Sequence, residues 1–340
     1  MKRGAILSPS FFLLIFTKKF TMINTVRNTV LSVLNKNNYG YLSPSDFNLF
    51  AKQAQLDIFE NYFYEYNYQI NKENARQSGT GYADIRKGIE EAIEIFSETK
   101  GLVRTADNIY SLPSQTTTGD DYYLLNKALV YQTLLDEGTT TAISAGTGNN
   151  KLIDSAANFT ADINIGDIIA YENGGVQYAK VTVKDNSTTL TTNRTDLNAI
   201  GRPYAIYKST TKFEEAEKVT HSKITMLNNS LLTAPNLTFP AYTQEANALT
   251  AFPNTIDSIG QVQAQYLRYP AEPKWTYVTL ANGTPVFSQS PADYQDFEIP
   301  LDDEVGLILK ILQYAGVMIR EADVYSFAQA EENQDNQEEA

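Results

Sequence analysis

The sequence predicts an α+β protein: a helical main domain with antiparallel strands, carrying an inserted small all-β module of barrel or sandwich type. Three observations predict it. Apolar residues recur at helical spacing over 23–98 and again from Leu301. Between Leu102 and Leu135, and from 260 to 280, the pattern turns to strands rich in aromatic and β-branched residues. Residues 139–211 shift to Thr, Asn, Gly and Ala and lose aromatic density, which marks a unit with its own core. With 340 residues the chain is long enough for two or three cores.

The elements follow in order. Val26, Val30 and Leu34 share one face of a first helix over 23–36. Asn38-Tyr39-Gly40 makes a turn, Ser43 caps a second helix, Pro44 takes its first position and Asp46 supplies the reciprocal acid. Asn35 to Asp46 imitates a calcium loop poorly, with Tyr39 at its fifth position and Asp46 in place of a bidentate Glu. The second helix extends to about Gln69. Phe47, Phe50, Ala51, Ala54, Ile58, Tyr62 and Tyr66 form its apolar face, which Phe59, Phe63, Tyr64 and Tyr68 widen until the helix needs several neighbours. A Ser78-Gly79-Thr80-Gly81 break precedes a third helix over 83–98, with Ile85, Ile89, Ile93 and Phe96 in register.

Strands follow at Asn108–Leu112 and Tyr122–Leu135. Within 139–211, Ile165 to Val183 alternates around an Asn173-Gly174-Gly175 turn, and Thr188–Thr192 and Arg202–Lys208 add two strands. The stretch reads as an insertion at a hairpin tip. The main domain, 22–135 plus 212–330, is therefore discontinuous. Residues 219–250 are mixed in pattern and end in a Pro- and Asn-rich loop. Tyr266, Arg268, Trp275 and Tyr277 alternate around Pro270 and Pro273, a strand–break–strand with Trp275 as anchor. After Pro300, Leu301, Val305, Ile308, Leu312, Ala315 and Ile319 share a face of a last helix, with Asp302, Asp303 and Glu304 in its favourable first turn.

Composition excludes several functions. The 40 acidic residues against 27 basic ones give a net charge of −13, the opposite of a surface that grips phosphates, although an acidic wall suits a passage through which DNA slides. There is no cysteine, so thiol, disulfide and zinc-finger chemistry are absent. His221 is the only histidine and reads as a structural polar residue. No dinucleotide, phosphate-loop or nucleophile-elbow motif occurs. Adjacent acids such as Glu90-Glu91 and Asp120-Asp121 point apart. No catalytic, cofactor-binding or metal-binding residue is assigned, and the protein reads as a non-enzyme. The 22 tyrosines suit half-wet interface surfaces. The apolar run Phe11–Phe16 is far short of the roughly 20 residues that span a bilayer. It is followed at once by Lys18 and Lys19, so 1–21 reads as an N-terminal extension, with Met22 a candidate start. Residues 331–340 form an acidic tail.

Two stretches carry a resemblance. GYLSPSDFNLFAKQAQLDIFENYFYEYN (40–67) is one. The other starts at YLRYPAEPKWTYV, passes through GTPVFSQSPADYQDFEIP and ends in DDEVGLILKILQYAGVMIREADV at residue 324. Together they resemble neck ring, or head–tail connector, structural proteins of crAss-like and related short-tailed phages, over roughly 22–135 and 212–330. The resemblance implies a virion protein, assembled in the host cytoplasm, that forms a homo-oligomeric, dodecameric ring below the portal. Its partners would be the portal protein and adjacent tail or ring proteins. DNA would pass without sequence-specific binding, and no membrane is involved. The resemblance implies no cofactor. The alternatives are another tail or capsid-accessory protein, or a glycan-binding or glycan-cleaving tail protein with Trp275 and Tyr277 as its sugar platform. Candidate packing or interface residues are Phe50, Phe59, Phe63, Trp275, Tyr277, Ile308, Leu312 and Ile319.

Overall fold

The computed structural model describes residues 21–35, 42–76, 83–143, 150–160, 162–197, 199–209 and 213–319, with residues 326, 329 and 330. The extension up to Phe20, the Asn38–Gly40 turn, the Ser78–Gly81 break and the acidic tail lie outside them. In chain order the elements begin α1 (Met22–Asn35), α2 (Pro44–Arg76), α3 (Ala83–Glu94), β1 (Ser97–Gly101), β2 (Arg104–Ala106), β3 (Ile109–Ser111), β4 (Tyr122–Tyr131), β5 (Leu134–Thr139), β6 (Lys151–Ile153), β7 (Ile168–Glu172), β8 (Val176–Asn186), β9 (Thr189–Thr192) and β10 (Pro203–Tyr207). They continue β11 (Phe213–Lys218), α4 (His221–Asn228), β12 (Ala241–Glu245), β13 (Ala248–Phe252), β14 (Val262–Arg268), β15 (Tyr277–Thr279), β16 (Pro285–Phe287) and, after a 3-10 turn at Leu301–Asp303, α5 (Glu304–Ile319).

This architecture corrects the expected fold class. The chain is strand-rich, and its main body is not a helical domain. Two compact units divide it, one of Met1–Ala92 with Pro270–Ala340, the other of Ile93–Tyr269. The second unit is built from two sheets. The larger has the order β1-β14-β4-β11-β12-β13-β3-β2, antiparallel except for the β11–β12 pair, and the smaller runs β5-β10-β7-β8-β9-β6. The reason for the miss is physical. The large sheet is assembled by pairings such as Ser97 with Leu267, across most of the unit. Several of its strands have only three to five residues, too few for period-two alternation to register. The expected third helix accordingly ends at Glu94, and Ser97 opens β1.

Within that unit β4 and β11 pair at Tyr131 and Phe213, on either side of the 139–211 stretch. The Asn173-Gly174-Gly175 turn joins β7 to β8 as expected, with both glycines at positive φ. The smaller sheet encloses Leu152, Phe159, Ile169, Tyr171, Leu190 and Ile206. It packs on the larger sheet through tyrosines. Tyr131 stacks on Tyr207 at 4.7 Å, Tyr207 Oη donates to Ile259 O at 2.6 Å, and Tyr178 Oη donates to Gly260 O at 2.8 Å. Gly260 sits at φ +65°, where a Cβ would meet Ala170 at 2.6 Å, so only glycine permits this approach. Burial pushes the Tyr131 phenol up to about 12 and raises Tyr178 and Tyr207 well above their ordinary range.

Candidate functional site

The expected packing and interface residues all belong to the helical unit, and its construction starts at α2. Ser43 Oγ accepts the Asp46 N–H at 3.2 Å and donates to the Asp46 carboxylate, the capping arrangement the sequence predicts. The helix then runs past Gln69 to Arg76. Phe47, Ala51, Ala54, Ile58, Phe59 and Tyr62 are buried along it, against α5.

One polar residue interrupts that stripe. Gln55 is buried and clamps two distant loops: its Nε2 donates to Ala271 O at 2.8 Å and its Oε1 accepts the Glu298 N–H at 3.1 Å. Glu298 closes the circuit by accepting the Ala271 N–H at 2.8 Å. Asn48, two turns earlier, plays the part of a strand neighbour for Trp275, accepting its N–H at 2.8 Å and donating to its carbonyl at 3.2 Å. At the other end of this loop region Asp296 accepts the N–H groups of Met22 and Ile23 at 3.2 and 2.8 Å, so a carboxylate far along the chain caps α1.

Trp275 sits at the centre. Its indole N–H donates to Asn24 Oδ1 at 3.2 Å, the Arg27 guanidinium lies 3.8 Å from its ring centroid, and Tyr277 and Phe287 stack on it at 5.5 and 6.0 Å. It is 2 % exposed. A ring so enclosed has no face to lend a sugar, which removes the observation on which the glycan alternative rested. Tyr277, 44 % exposed, pairs with Phe287 on the Trp275 side of the β15–β16 ribbon, while Val278 and Val286 pair on its other side and face solvent.

The other expected residues divide by environment. Phe59 and Leu312 are fully packed, and Phe50, Phe63 and Ile308 are half-buried. Phe50 stacks on Tyr314 at 6.2 Å, and Phe59 meets Phe63 edge-on at 5.1 Å. Ile319 ends α5, and its side chain lies outside the described residues. The expected face of α5 is rotated: Leu307, Ile311, Leu312 and Ala315 are buried, while Leu301 and Val305 are exposed. This helix is apolar nearly all round, so spacing alone leaves its phase open. The 3-10 turn that leads into it is anchored by Asp303, which accepts the Tyr62 hydroxyl; burial, with this carboxylate beside it, drives the Tyr62 phenol far above its ordinary range.

His221 opens α4 at the surface, with Glu245 3.4 Å from its Nδ1. Glu90 bonds Tyr66 and Arg86 while Glu91 meets Lys87, so that adjacent pair does face apart. No group of three or more His, Asp or Glu side chains gathers as metal ligands among the described residues, and none of their helices is long and apolar enough to cross a membrane.

Sequence reasoning missed one surface. In the loop after α4, Leu231 and Leu232 are 104 % and 95 % exposed, and Phe239 is also largely bare. The signal was present: two leucines lie between Asn228-Asn229-Ser230 and Ala234-Pro235-Asn236, turn-forming residues that place them outside any core element. No protein-family model matches the chain, and a search of curated proteins finds no significant match.

Proposed function

We propose that this chain is a structural ring protein of a short-tailed phage neck, working by assembly around a DNA passage. One observation supports the reading most. The two stretches that carry the resemblance, 40–67 and 266–324, come largely together in one unit, where Asn48, Gln55 and Tyr62 of the first bind Trp275, Ala271, Glu298 and Asp303 of the second. A likeness spread over two distant segments thus corresponds to one packed object. The charge of −13 supports it too, since an acidic wall lets DNA slide without adhering. Exposed apolar side chains on α2 and the β15–β16 ribbon, Leu49, Tyr64, Val278 and Val286, supply surface for neighbours.

The test is mass photometry of the purified full chain, followed by cryo-electron microscopy of virions. A closed ring of identical subunits at the neck is the expected result. A protein that stays monomeric at every concentration and is absent from the neck overturns the reading.

A further inference from the structure

We infer that the loop between α4 and β12, centred on Leu231 and Leu232, is a surface by which one copy of this chain grips another. The inference rests on the ring reading and names a contact for it.

The loop presents its leucines rigidly. Asn229 and Ser230 N–H groups return to Met226 and Leu227 carbonyls, and Thr233 and Ala234 N–H groups both return to Ser230 O. Asn236 Oδ1 accepts from the Thr238 and Phe239 N–H groups, and Gln132 Nε2 holds Leu237 O at 3.2 Å. Below, Ile224 and Leu227 pack with Val219 and Ala241. The turns on either side are therefore braced and the base anchored, while the two leucines project into solvent. Little ordering entropy remains to be lost when a partner covers them.

Beside them is a groove of about 660 Å³, lined in part by Leu227, Leu232, Phe239 and Tyr242. Its charged rim carries both signs. Lys127 pairs with Glu215 at 2.9 Å and Lys223 with Glu217 at 3.0 Å, all four well exposed. An apolar centre inside a mixed polar rim is the anatomy of a protein–protein contact.

Charge selects the occupant. Two chains of net charge −13 repel over most of their surfaces. No charged residue occurs between Lys223 and Glu245, so a second copy meets no like charge at the centre of this patch. At the rim the charges are already paired within the chain, Lys127 with Glu215 and Lys223 with Glu217, so the rim presents neutral ion pairs to a second copy. A nucleic acid finds no basic centre here, because the lysines at the rim already hold carboxylates or, for Lys218, the Gln244 amide.

The test compares the full chain with the Leu231→Asp/Leu232→Asp variant by sedimentation equilibrium, with circular dichroism as the folding control. We expect unchanged dichroism and self-association weakened at least tenfold, an effect of about 1.4 kcal/mol or more. Wild-type chain that associates, with a variant that associates equally well, overturns the inference and leaves the ring reading standing. Wild-type chain that never associates overturns the inference, and its absence from the virion neck as well overturns the ring reading too. Should the double variant misfold, a second measurement decides. The chain has no cysteine, so Leu232→Cys carries a single environment-sensitive fluorophore. Its emission should shift to the blue along the association curve, and an emission independent of concentration overturns the inference.

Discussion

Trp275 and the Leu231–Leu232 pair are treated in opposite ways by the same chain. The tryptophan is enclosed and the leucines are bare, although all three lie in segments without regular structure. The difference is the supply of polar partners. Trp275 needs its own backbone and indole N–H groups satisfied to be buried, and Asn24 and Asn48 reach across from α1 and α2 to do so. The loop after α4 braces itself with turns around Ser230 and Asn236, which leave its leucines nothing to pack against. Burial of irregular segments here is decided by distant amides, not by how apolar the segment is.

Breaking the enclosed side of this comparison should have the largest effect. Trp275→Ala removes the ring from under Arg27, Tyr277 and Phe287 and is expected to cost about 3–5 kcal/mol. Urea denaturation measures it, and a loss below about 1 kcal/mol would mean the pocket collapses freely around the cavity. Next comes Gln55→Ala. It leaves the Ala271 carbonyl and the Glu298 N–H without their partner in a packed joint, an expected loss of about 1–3 kcal/mol. Gln55→Glu can still accept from Glu298 but cannot donate to Ala271, so the two variants together apportion the clamp.

The tyrosines stand between the two extremes, because each buries a ring and must place a hydroxyl. Tyr207→Phe should cost about 1 kcal/mol by leaving the Ile259 carbonyl short of a donor. The same groups set an alkaline limit. The Tyr131 phenol is raised to about 12 in the folded chain by burial, against about 10 when unfolded. Because the folded value is the higher one, the stabilisation is complete below about pH 10 and is lost as pH rises toward 12. Circular dichroism should therefore hold to about pH 10 and fall toward pH 12, and a Tyr131→Phe variant that loses it over an identical window would contradict the assignment.

Much of this was legible in the sequence, for local reasons. The Ser43–Asp46 cap, the Asn173-Gly174-Gly175 turn and the helix after Pro300 each depend on a few neighbouring residues, whereas the burial of Trp275 depends on Asn24 and Asn48, far along the chain. The large sheet was not legible, since Tyr266 pairs with Glu98 and Leu125, and no local period encodes a partner that distant. Tyrosine content also misled. Tyr110, Tyr171, Tyr204, Tyr207 and Tyr266 read as interface material but are fully enclosed. Most have hydroxyls directed to an internal acceptor, such as Asp154 for Tyr204 and Ser258 O for Tyr110. Which tyrosines find such acceptors is a property of the assembled sheets.

The smallest expected effect tests the exposed side. Leu231→Ser should change the stability of the isolated chain by less than about 0.5 kcal/mol, because no buried contact is lost. Association complicates the measurement, since any assembly of folded copies raises apparent stability with concentration. The informative quantity is thus the slope of Tm against protein concentration. Wild-type chain should show a positive slope and Leu231→Ser a flatter one, with the two curves meeting at high dilution. Curves that remain apart at the lowest concentration would mean that Leu231 packs within its own chain, and the contrast with Trp275 would then be one of degree.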